Sequence, residues 1–516
     1  MKTLANLFLY KTVFITGAAV LVIEVAAVRM LSPYYGSSLY VFSSVLTIIL
    51  AALALGYYFG GRFADKQPHS GPLFAVIALS GIFTLFAEFL RANILPISSS
   101  AFSVMSGPLV FGFLLFFVPA FFLGIVSPYL VKLRSAEEVP EKIGSVAGTV
   151  FFWGTLGSIS GSLLSGFLLI PVFGIRHSMT GTGLALLILG LAGMLFFEAI
   201  RSGISPYVMV ARYRFFVLLV VLTGLVLTNL IYTHEVPSSE KVVYQSDGLY
   251  GHIIVYETER FGEPVMALRR DTNNESAVYL NSYDSVFEYV QFGERYKKVV
   301  PNTQSFLMIG GGAYSLPRTI LARDPDVEVT VAEIEPDLFP LAQRFFDVPS
   351  STKLVNHVVD GRVFLNEHEG TFDFIFLDAF GIDLSIPAHL ATKEFYELVK
   401  AHLSDEGAVM LNFIGPLAGD APTLTGSLVK TQQSVFPNMV MYAMHPEKPE
   451  RRQNILFVLR NGDEPITLEG EFIQYLDGTV HPTSEMIIPH ERYLNDDELV
   501  FTDDRAPIEY LMLDQY

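Results

Sequence analysis

Cysteine is absent from all 516 residues. That excludes disulfides, thiolate metal sites and a cysteine nucleophile, and it is compatible with an oxidising compartment. Charge is scarce as well. Only 17% of residues are charged and 51% are hydrophobic, whereas an ordinary soluble domain carries about a quarter charged residues. This argues against a wholly soluble protein. The 11 histidines are scattered, and none has a second His or a carboxylate at ligand spacing. His357, His389 and His402 read as helix or loop residues, and no metal is expected. Neither a serine nucleophile elbow nor a Walker loop is found.

The charge that is present is divided unevenly. Residues 1–235 hold 13 Lys and Arg against 8 Asp and Glu, a net of +5, and 236–516 carry a net of −23. Two unlike halves therefore meet near residue 235. An acidic second half argues against a nucleic-acid partner, whose phosphates need cationic surface, and it suits a cationic ligand.

The first half is hydrophobic in long runs. A helix needs about 20 apolar residues to cross a bilayer, and seven stretches qualify, near 12–31, 40–60, 72–91, 108–131, 147–170, 178–199 and 214–233. The first holds Glu24 and Arg29 and runs into more membrane sequence, so it reads as a span rather than a cleaved signal. Pro119, Pro128 and Pro171 should bend or end their helices. In the fifth stretch, Gly154, Ser158, Ser162 and Gly166 recur every four residues, beside a second row of Gly157, Gly161 and Ser165. Small residues at that spacing allow close backbone approach in lipid, which predicts a tightly packed central helix; a substrate path beside the glycines is the functional alternative. Glu24 lies mid-span, where an ionisable side chain faces the protein interior, either in an ion pair with Arg29 or as a proton or cation site. Glu88 and Arg91, three apart near a span end, suit a snorkelling surface pair. Basic residues gather before the first span and after the second, fourth and sixth. The expected orientation is an amino terminus in the cytoplasm and, after seven spans of a cell-membrane protein, an acidic domain outside it.

The second half begins with KVVYQ, GHIIVYETE and PVMALRR, divided by the turn signals SDG and FGE. These predict a small antiparallel β-domain over 236–300. From 301 to 516 strands alternate with helices: SFLMI, VEVTVAEI, KLVNHVVD, FDFIFLDAF and GAVMLNFI, with TKEFYELVKAHL amphipathic before the last. That alternation predicts a Rossmann-like parallel α/β sheet covered by helices, with its ligand at the carboxyl ends of the strands. Gly310, Gly311 and Gly312 leave the first strand, Glu333 ends the second, Asp360 with Gly361 ends the third, and Asp378 ends the fourth. A bare glycine loop admits a ligand to the backbone. A carboxylate about 20 residues on can accept the hydroxyls of a ribose, and one after the third strand can accept from an adenine amino group. The pattern predicts a nucleoside-containing ligand. The glycines alone would also fit a tight strand–helix turn. TDDRAP (502–507) reads either as a solvated turn or as acidic lining for a cation. Arg318 reads as an exposed helix residue or a partner for a ligand carboxylate.

These residues resemble the spermidine synthase (polyamine aminopropyltransferase) family, a methyltransferase-like Rossmann sheet behind an N-terminal β-domain. The stretches that carry the likeness are YQSDGLYGHIIVYE (244–257), IGGG, AEIEP, VVDGRVFL, FIFLDAFG and LVFTDDRAPIEYL (499–511). Residues 24–66 resemble the membrane segments to which such domains are fused in bacteria and archaea. The resemblance implies transfer of an aminopropyl group from decarboxylated S-adenosylmethionine to a diamine, releasing methylthioadenosine. Asp378 would match the carboxylate that takes the proton of the attacking amine, Glu333 the ribose acid, Asp360 the adenine-side acid, and Gly310–Gly312 the cofactor loop. Enzymes of that family are commonly dimers or tetramers, so a homo-oligomer is an expectation of the resemblance alone.

The chain departs from the family pattern at named positions. Its loop reads GGGAYS, with Ala313 where the family has the acid that holds the donor's amine. The acceptor motif is DAFGID, with Asp383 two residues late, and Glu275 stands where a glutamine helps to bind polyamine. The family's Tyr-His-Glu patch has no clean match near Phe287–Tyr289. Two expectations follow. One is a membrane-anchored transferase that moves an aminopropyl or related group from S-adenosylmethionine or its decarboxylated form to an amine. The other is a catalytically degenerate polyamine- or nucleoside-binding domain coupled to a transport or sensing bundle.

Overall fold

The computed structural model describes residues 2–35, 39–95, 101–103, 105–136, 142–197, 218, 221–227, 240–380, 386–419, 422–462, 466, 468, 470–494 and 496–513. They form two compact units, Met1–Pro237 and Ser238–Tyr516.

The first unit is helical. It contains α1 (Lys2–Tyr35), α2 (Leu39–Lys66), α3 (Ser70–Asn93) and α4 (Ser106–Ser135). α5 (Ile143–Leu164) and α6 (Ile170–Ala192) run together through a π-helical turn at Ser165–Leu169. Five helical stretches are long and apolar enough to cross a membrane, the last being the 53-residue Ile143–Leu195. The expected fifth span and residues 178–195 of the expected sixth lie in that stretch, which kinks at Gly174 (φ 74°). Of the expected seventh, only Leu218 and 221–227 belong to the described residues. Pro119 and Pro171 do not end their helices. Each follows a π-helical turn, Phe113–Phe117 and Ser165–Leu169. A proline has no N–H to donate and crowds the carbonyl four residues back, and a wider turn relieves both problems.

Glycine sets three close helix pairs. A Cβ on Gly17, Gly157 or Gly161 would strike the backbone of the facing helix in the α1–α5 pair, at Gly154, Phe14 and Ala18 respectively. Ser158 Oγ donates to the Gly17 carbonyl at 3.1 Å in the same contact. Gly56 and Gly124 meet between α2 and α4, and Gly81 and Gly183 between α3 and α6. The small-residue rows thus pack tightly at Gly154, Gly157, Ser158 and Gly161, on one side of α5, whereas Gly166 in the following turn has open space around it. Phe151, Phe152, Ile159 and Leu163 are exposed, so among the described residues α5 is peripheral rather than central.

Glu88 corrects another expectation. It has no exposed surface and accepts from Arg91 Nε at 2.8 Å and Nη2 at 2.6 Å. This is a bidentate pair rooted inside the helical unit, not a surface pair. Glu24 and Arg29 are half-buried on α1.

The second unit opens with an antiparallel meander of β1 (Lys241–Asp247), β2 (His252–Arg260), β3 (Glu263–Arg270) and β4 (Asn273–Tyr279). α7 (Glu288–Gly293) leads from it to an eight-stranded sheet of order β14-β10-β11-β9-β8-β5-β6-β7. Its parallel part is β5 (Ser305–Ile309), β6 (Glu328–Glu333), β7 (Leu354–Val358), β8 (Phe372–Leu377) and β9 (Leu403–Gly415). β10 (Asn438–Ala443), β11 (Gln453–Arg460) and β14 (Ile487–Ile488) extend it in antiparallel fashion. β12 (Phe472–Gln474) and β13 (Val480–Pro482) form a separate hairpin. The sheet is therefore mixed, and the expected parallel alternation describes only its site-bearing half.

Helices α8 (Ser315–Arg323), α9 (Leu338–Phe345), α10 (Gly361–Glu367), α11 (Lys393–Ala401) and α12 (Leu424–Gln433) cover the sheet. The strand period sorts the core into two layers. Phe306 and Met308 face one cluster with Val329, Val331 and Phe374, while Leu307 and Ile309 face the other with Ile375 and Leu377.

Candidate functional site

Strand order reverses between β5 and β8, which is where open α/β sheets bind ligands. The register brings the strand ends level. Ile309 pairs with Ala332 on one side and with Leu377 on the other, and Glu333 pairs with Val358. Gly310, Glu333 and Asp378 consequently leave the sheet side by side, with Asp360 one strand further out.

Gly310 has φ +89°, and a Cβ there would collide with the Asp378 backbone carbonyl. The first glycine is thus required by close approach between chain segments. Gly312 has φ +53°, and Tyr314 stays left-handed (φ 58°, ψ 32°) although it is not glycine. Its ring is fully buried against Phe339. Ala313 is buried too, and it offers no polar group to a ligand.

Glu333 is buried and already engaged. Its Oε2 accepts from the Gly311 and Gly312 amides at 2.6 and 3.2 Å, and its Oε1 from the Glu335 amide at 2.8 Å. A carboxylate has about four acceptor positions, so roughly one is left for a ribose hydroxyl while the loop holds this conformation. Asp360 caps α10. Its Oδ1 accepts from Arg362 N and Val363 N at 2.9 and 3.1 Å, and its Oδ2 meets His389 Nε2 at 2.8 Å. Burial opposes ionisation there, but the His389 contact and the cap amides hold the carboxyl below its ordinary range. Gly361 is needed for packing, since a Cβ would strike Ile309.

Asp378 differs from both. Asn412 Nδ2 donates to its Oδ1 at 2.9 Å, and the Tyr289 hydroxyl is its second side-chain partner. Asn412 is in turn held by Asn454 Nδ2 at 3.0 Å. Burial pushes the Asp378 carboxyl up to about 6 against these two hydrogen bonds, with the Glu333 charge adding to the rise. A carboxylate titrating there is suited to take a proton near neutrality. Tyr289 resists ionisation strongly, through burial and then the Asp378 and Glu275 charges. It therefore acts as a donor.

Glu275, on β4, lies near Asp378. The Tyr289 hydroxyl is 3.4 Å from the Glu275 backbone carbonyl, and Arg270 Nη2 is 2.9 Å from Glu275 Oε2. Burial raises the Glu275 carboxyl to about 7 despite Arg270, with Glu333 and Asp271 contributing. Asp383 lies outside the described residues.

Several side chains take roles that the sequence did not reveal. Arg318 is buried and donates to the Ser282 and Tyr279 carbonyls at 3.0 and 3.2 Å. It fastens the meander end to α8 and is neither exposed nor aimed at a ligand. In TDDRAP, Asp503 accepts from Arg362 at 2.8 and 2.6 Å and from Thr392 Oγ1 at 2.8 Å, so it clasps the chain beside α10. His402 contacts the Leu398 and His368 carbonyls, and His357 packs on Phe364. Among the described residues no group of three His, Asp or Glu could hold a metal. Tyr289, Asn412 and Arg270 were missed. Asn412 had a signal, a lone amide inside an otherwise apolar strand; the other two are read only from tertiary contacts.

No protein-family model matches the chain. It is 28% identical over 176 residues to a polyamine aminopropyltransferase of Vibrio vulnificus, covering 33% of this chain and 58% of that one. It is 23% identical over 459 residues to polyamine aminopropyltransferase 1 of Streptomyces coelicolor, covering 83% and 79% respectively. The first match thus spans under two thirds of the relative's length. Among solved structures, a probable spermidine synthase from Corynebacterium glutamicum aligns with a TM-score of 0.41 at 18% identity, over 51% of this chain and 96% of that one.

Proposed function

The curated homologues make this a spermidine-synthase-like chain, and from that premise we propose a membrane-anchored transferase that moves an aminopropyl or related group to an amine. The donor is S-adenosylmethionine or its decarboxylated form. The acceptor nitrogen attacks the carbon bound to the donor sulfonium. The new C–N bond forms as the C–S bond breaks, its electron pair stays on sulfur, and methylthioadenosine leaves if the donor group is aminopropyl. The amine's proton passes to Asp378, and an ammonium could not attack before losing it.

The observation that carries this reading is Asp378 itself. It is a carboxyl at the switch point held by Asn412 and Tyr289, with its titration lifted to about 6. Glu275 supports an acidic acceptor side, and Gly310–Gly312, Glu333 and Asp360 with Gly361 line the nucleoside side. Asp383 belongs to the proposal through the sequence alone. The bilayer partner is supported by the five apolar helices. Loop charge supports a cytoplasmic amino terminus with the transferase unit outside the cytoplasm.

Calorimetric titration of the full chain in detergent with methylthioadenosine, S-adenosylmethionine and the decarboxylated donor tests the reading. Binding of at least one is expected, and no heat from any of them removes it. Asp378→Asn should lower turnover about 100-fold or more, the upper part of what a general base supplies, with nucleoside affinity nearly unchanged.

A second reading, a degenerate binding domain coupled to the helical unit, is favoured by the Glu333 contacts to its own loop. Nucleoside binding without any group transfer would select it.

A further inference from the structure

The acid that stands where the family resemblance implies amine binding, Glu275, already holds a cation. Arg270, at the end of β3, reaches across the hairpin to place Nη2 2.9 Å from Glu275 Oε2, with its side chain 11% exposed. Its Nε has no hydrogen-bond partner among the described residues. Three further acids lie within Coulombic range of Arg270. Glu333 receives three backbone amides, Glu335 Oε2 accepts from Tyr250 N at 2.8 Å, and Asp271 Oδ1 accepts from His252 N at 3.0 Å, while Glu335 Oε1 and Asp271 Oδ2 are buried without a hydrogen-bond partner among the described residues. Tyr289 sits between this pair and Asp378, bonded to the Asp378 carboxyl and 3.4 Å from the Glu275 carbonyl.

An ammonium arriving at Glu275 would therefore lie beside a guanidinium already in place. Like charges at such range in a half-buried site repel strongly. Arginine also cannot relieve the conflict by losing its proton. Asp378, whose side-chain partners Asn412 and Tyr289 carry no charge, is then the strand-end carboxylate that receives a cationic acceptor.

We infer that Arg270 is a specificity-determining residue, a tethered counter-cation that neutralises Glu275 and fits the site to an acceptor with one ammonium group rather than a diamine. The acceptor class is a primary amine whose far end is neutral. This rests on the transferase reading for the word acceptor, but the charge arrangement can be tested by binding alone.

The test uses the full chain in detergent at about pH 8.5, above the Glu275 titration yet below that of an alkylamine near 10 to 11. 1-Aminobutane and 1,4-diaminobutane are titrated separately, each with and without saturating methylthioadenosine. The wild-type protein should bind the monoamine at least as tightly as the diamine. Arg270→Gln frees Glu275 and should tighten the diamine about tenfold, the scale of one partly buried ion pair, with the monoamine within about threefold. Glu275→Gln leaves the guanidinium unbalanced and should weaken both amines. The double variant should return the diamine to about the wild-type value.

A wild-type preference for the diamine of about tenfold or more would overturn the inference, as would an Arg270→Gln protein with unchanged diamine affinity. If Arg270→Gln fails to fold, Glu275→Gln and the double variant decide. Amine binding that Glu275→Gln leaves untouched also overturns it. Nucleoside heat, read on the same samples, reports separately on the transferase reading. If methylthioadenosine does not bind, that reading fails, while the amine ratios still settle the role of Arg270. If no protein binds either amine, the inference fails whatever the nucleoside does.

Discussion

At the residue scale, the site is a carboxyl kept partly protonated by its surroundings. Asp378 titrates near 6 in the fold and near 3.8 when unperturbed. A base must be ionised to work, so turnover should rise with pH and level off above about 6, where its acid limb lies. Tyr289→Phe removes a hydrogen bond that favours the ionised form. The acid limb should then move upward and turnover fall about tenfold, as expected for losing one bond to a charged group. A profile that keeps its midpoint would show that the phenol does not act on Asp378. The same shift bears on stability. A carboxyl whose folded pKa is raised holds its proton more tightly folded than unfolded, so the fold loses stability as pH climbs from about 4 to about 6. Asp378→Asn should accordingly melt higher than the wild type at about pH 8 and show little difference at about pH 4. Melting curves at the two values check the sign.

Legibility was uneven among these residues. Asp378, Glu333 and Asp360 stand out because an acid closing an apolar strand is visible in one dimension. That Glu333 and Asp360 spend their lone pairs on nearby amides is not, since an N-cap and a loop clasp need the path of the backbone. Tyr289 looked like one aromatic among many, because the aspartate it bonds lies almost ninety positions away.

At the scale of elements, glycine does two different jobs. In the sheet it permits crossing of chain segments, and Gly310 stands against the Asp378 carbonyl with a left-handed φ. Gly310→Ala brings both strain and collision, and should lower stability by about 2–4 kcal/mol, combining about 1 for the dihedral with 1–3 for overpacking. Denaturant unfolding of the chain, followed by the far-ultraviolet signal, would measure it. Between helices, glycine permits backbone contact. Gly157→Val would push α5 off Phe14 of α1, whereas Gly166→Val, with open space around its Cβ position, should be tolerated. Size exclusion in detergent should show loss of the monodisperse peak for the first and retention for the second. Comparable behaviour of the two would mean the α1–α5 contact does not hold the unit together. The four-residue rows in α5 were readable beforehand because both were dense. The pairs at Gly56–Gly124 and Gly81–Gly183 were not, because each helix contributes isolated small residues whose partners are distant in sequence.

At the scale of the whole molecule, the alternation of charge and hydropathy divides the chain into a helical and an α/β unit, and both were legible. The antiparallel extension through β10, β11 and β14 was not, because an apolar run shows neither its direction nor its neighbour. The absence of cysteine gives the orientation proposal a clean experiment. Glu259, exposed on β2, replaced by cysteine would be the single thiol in the chain. An impermeant maleimide applied to intact cells should label it if the α/β unit faces outward; labelling only after lysis would reverse the orientation.

Arg318 has one further consequence. It reaches from α8 to the carbonyls of Tyr279 and Ser282, and Glu275 and Tyr289 come from the same stretch that it grips. A fragment starting at residue 301 would carry the aspartate without its phenol, and a buried guanidinium stripped of both acceptors. The smallest piece worth excising therefore runs from the first strand of the meander through the C-terminal helix Ile508–Leu513, and attempts to express the Rossmann portion alone should yield aggregate.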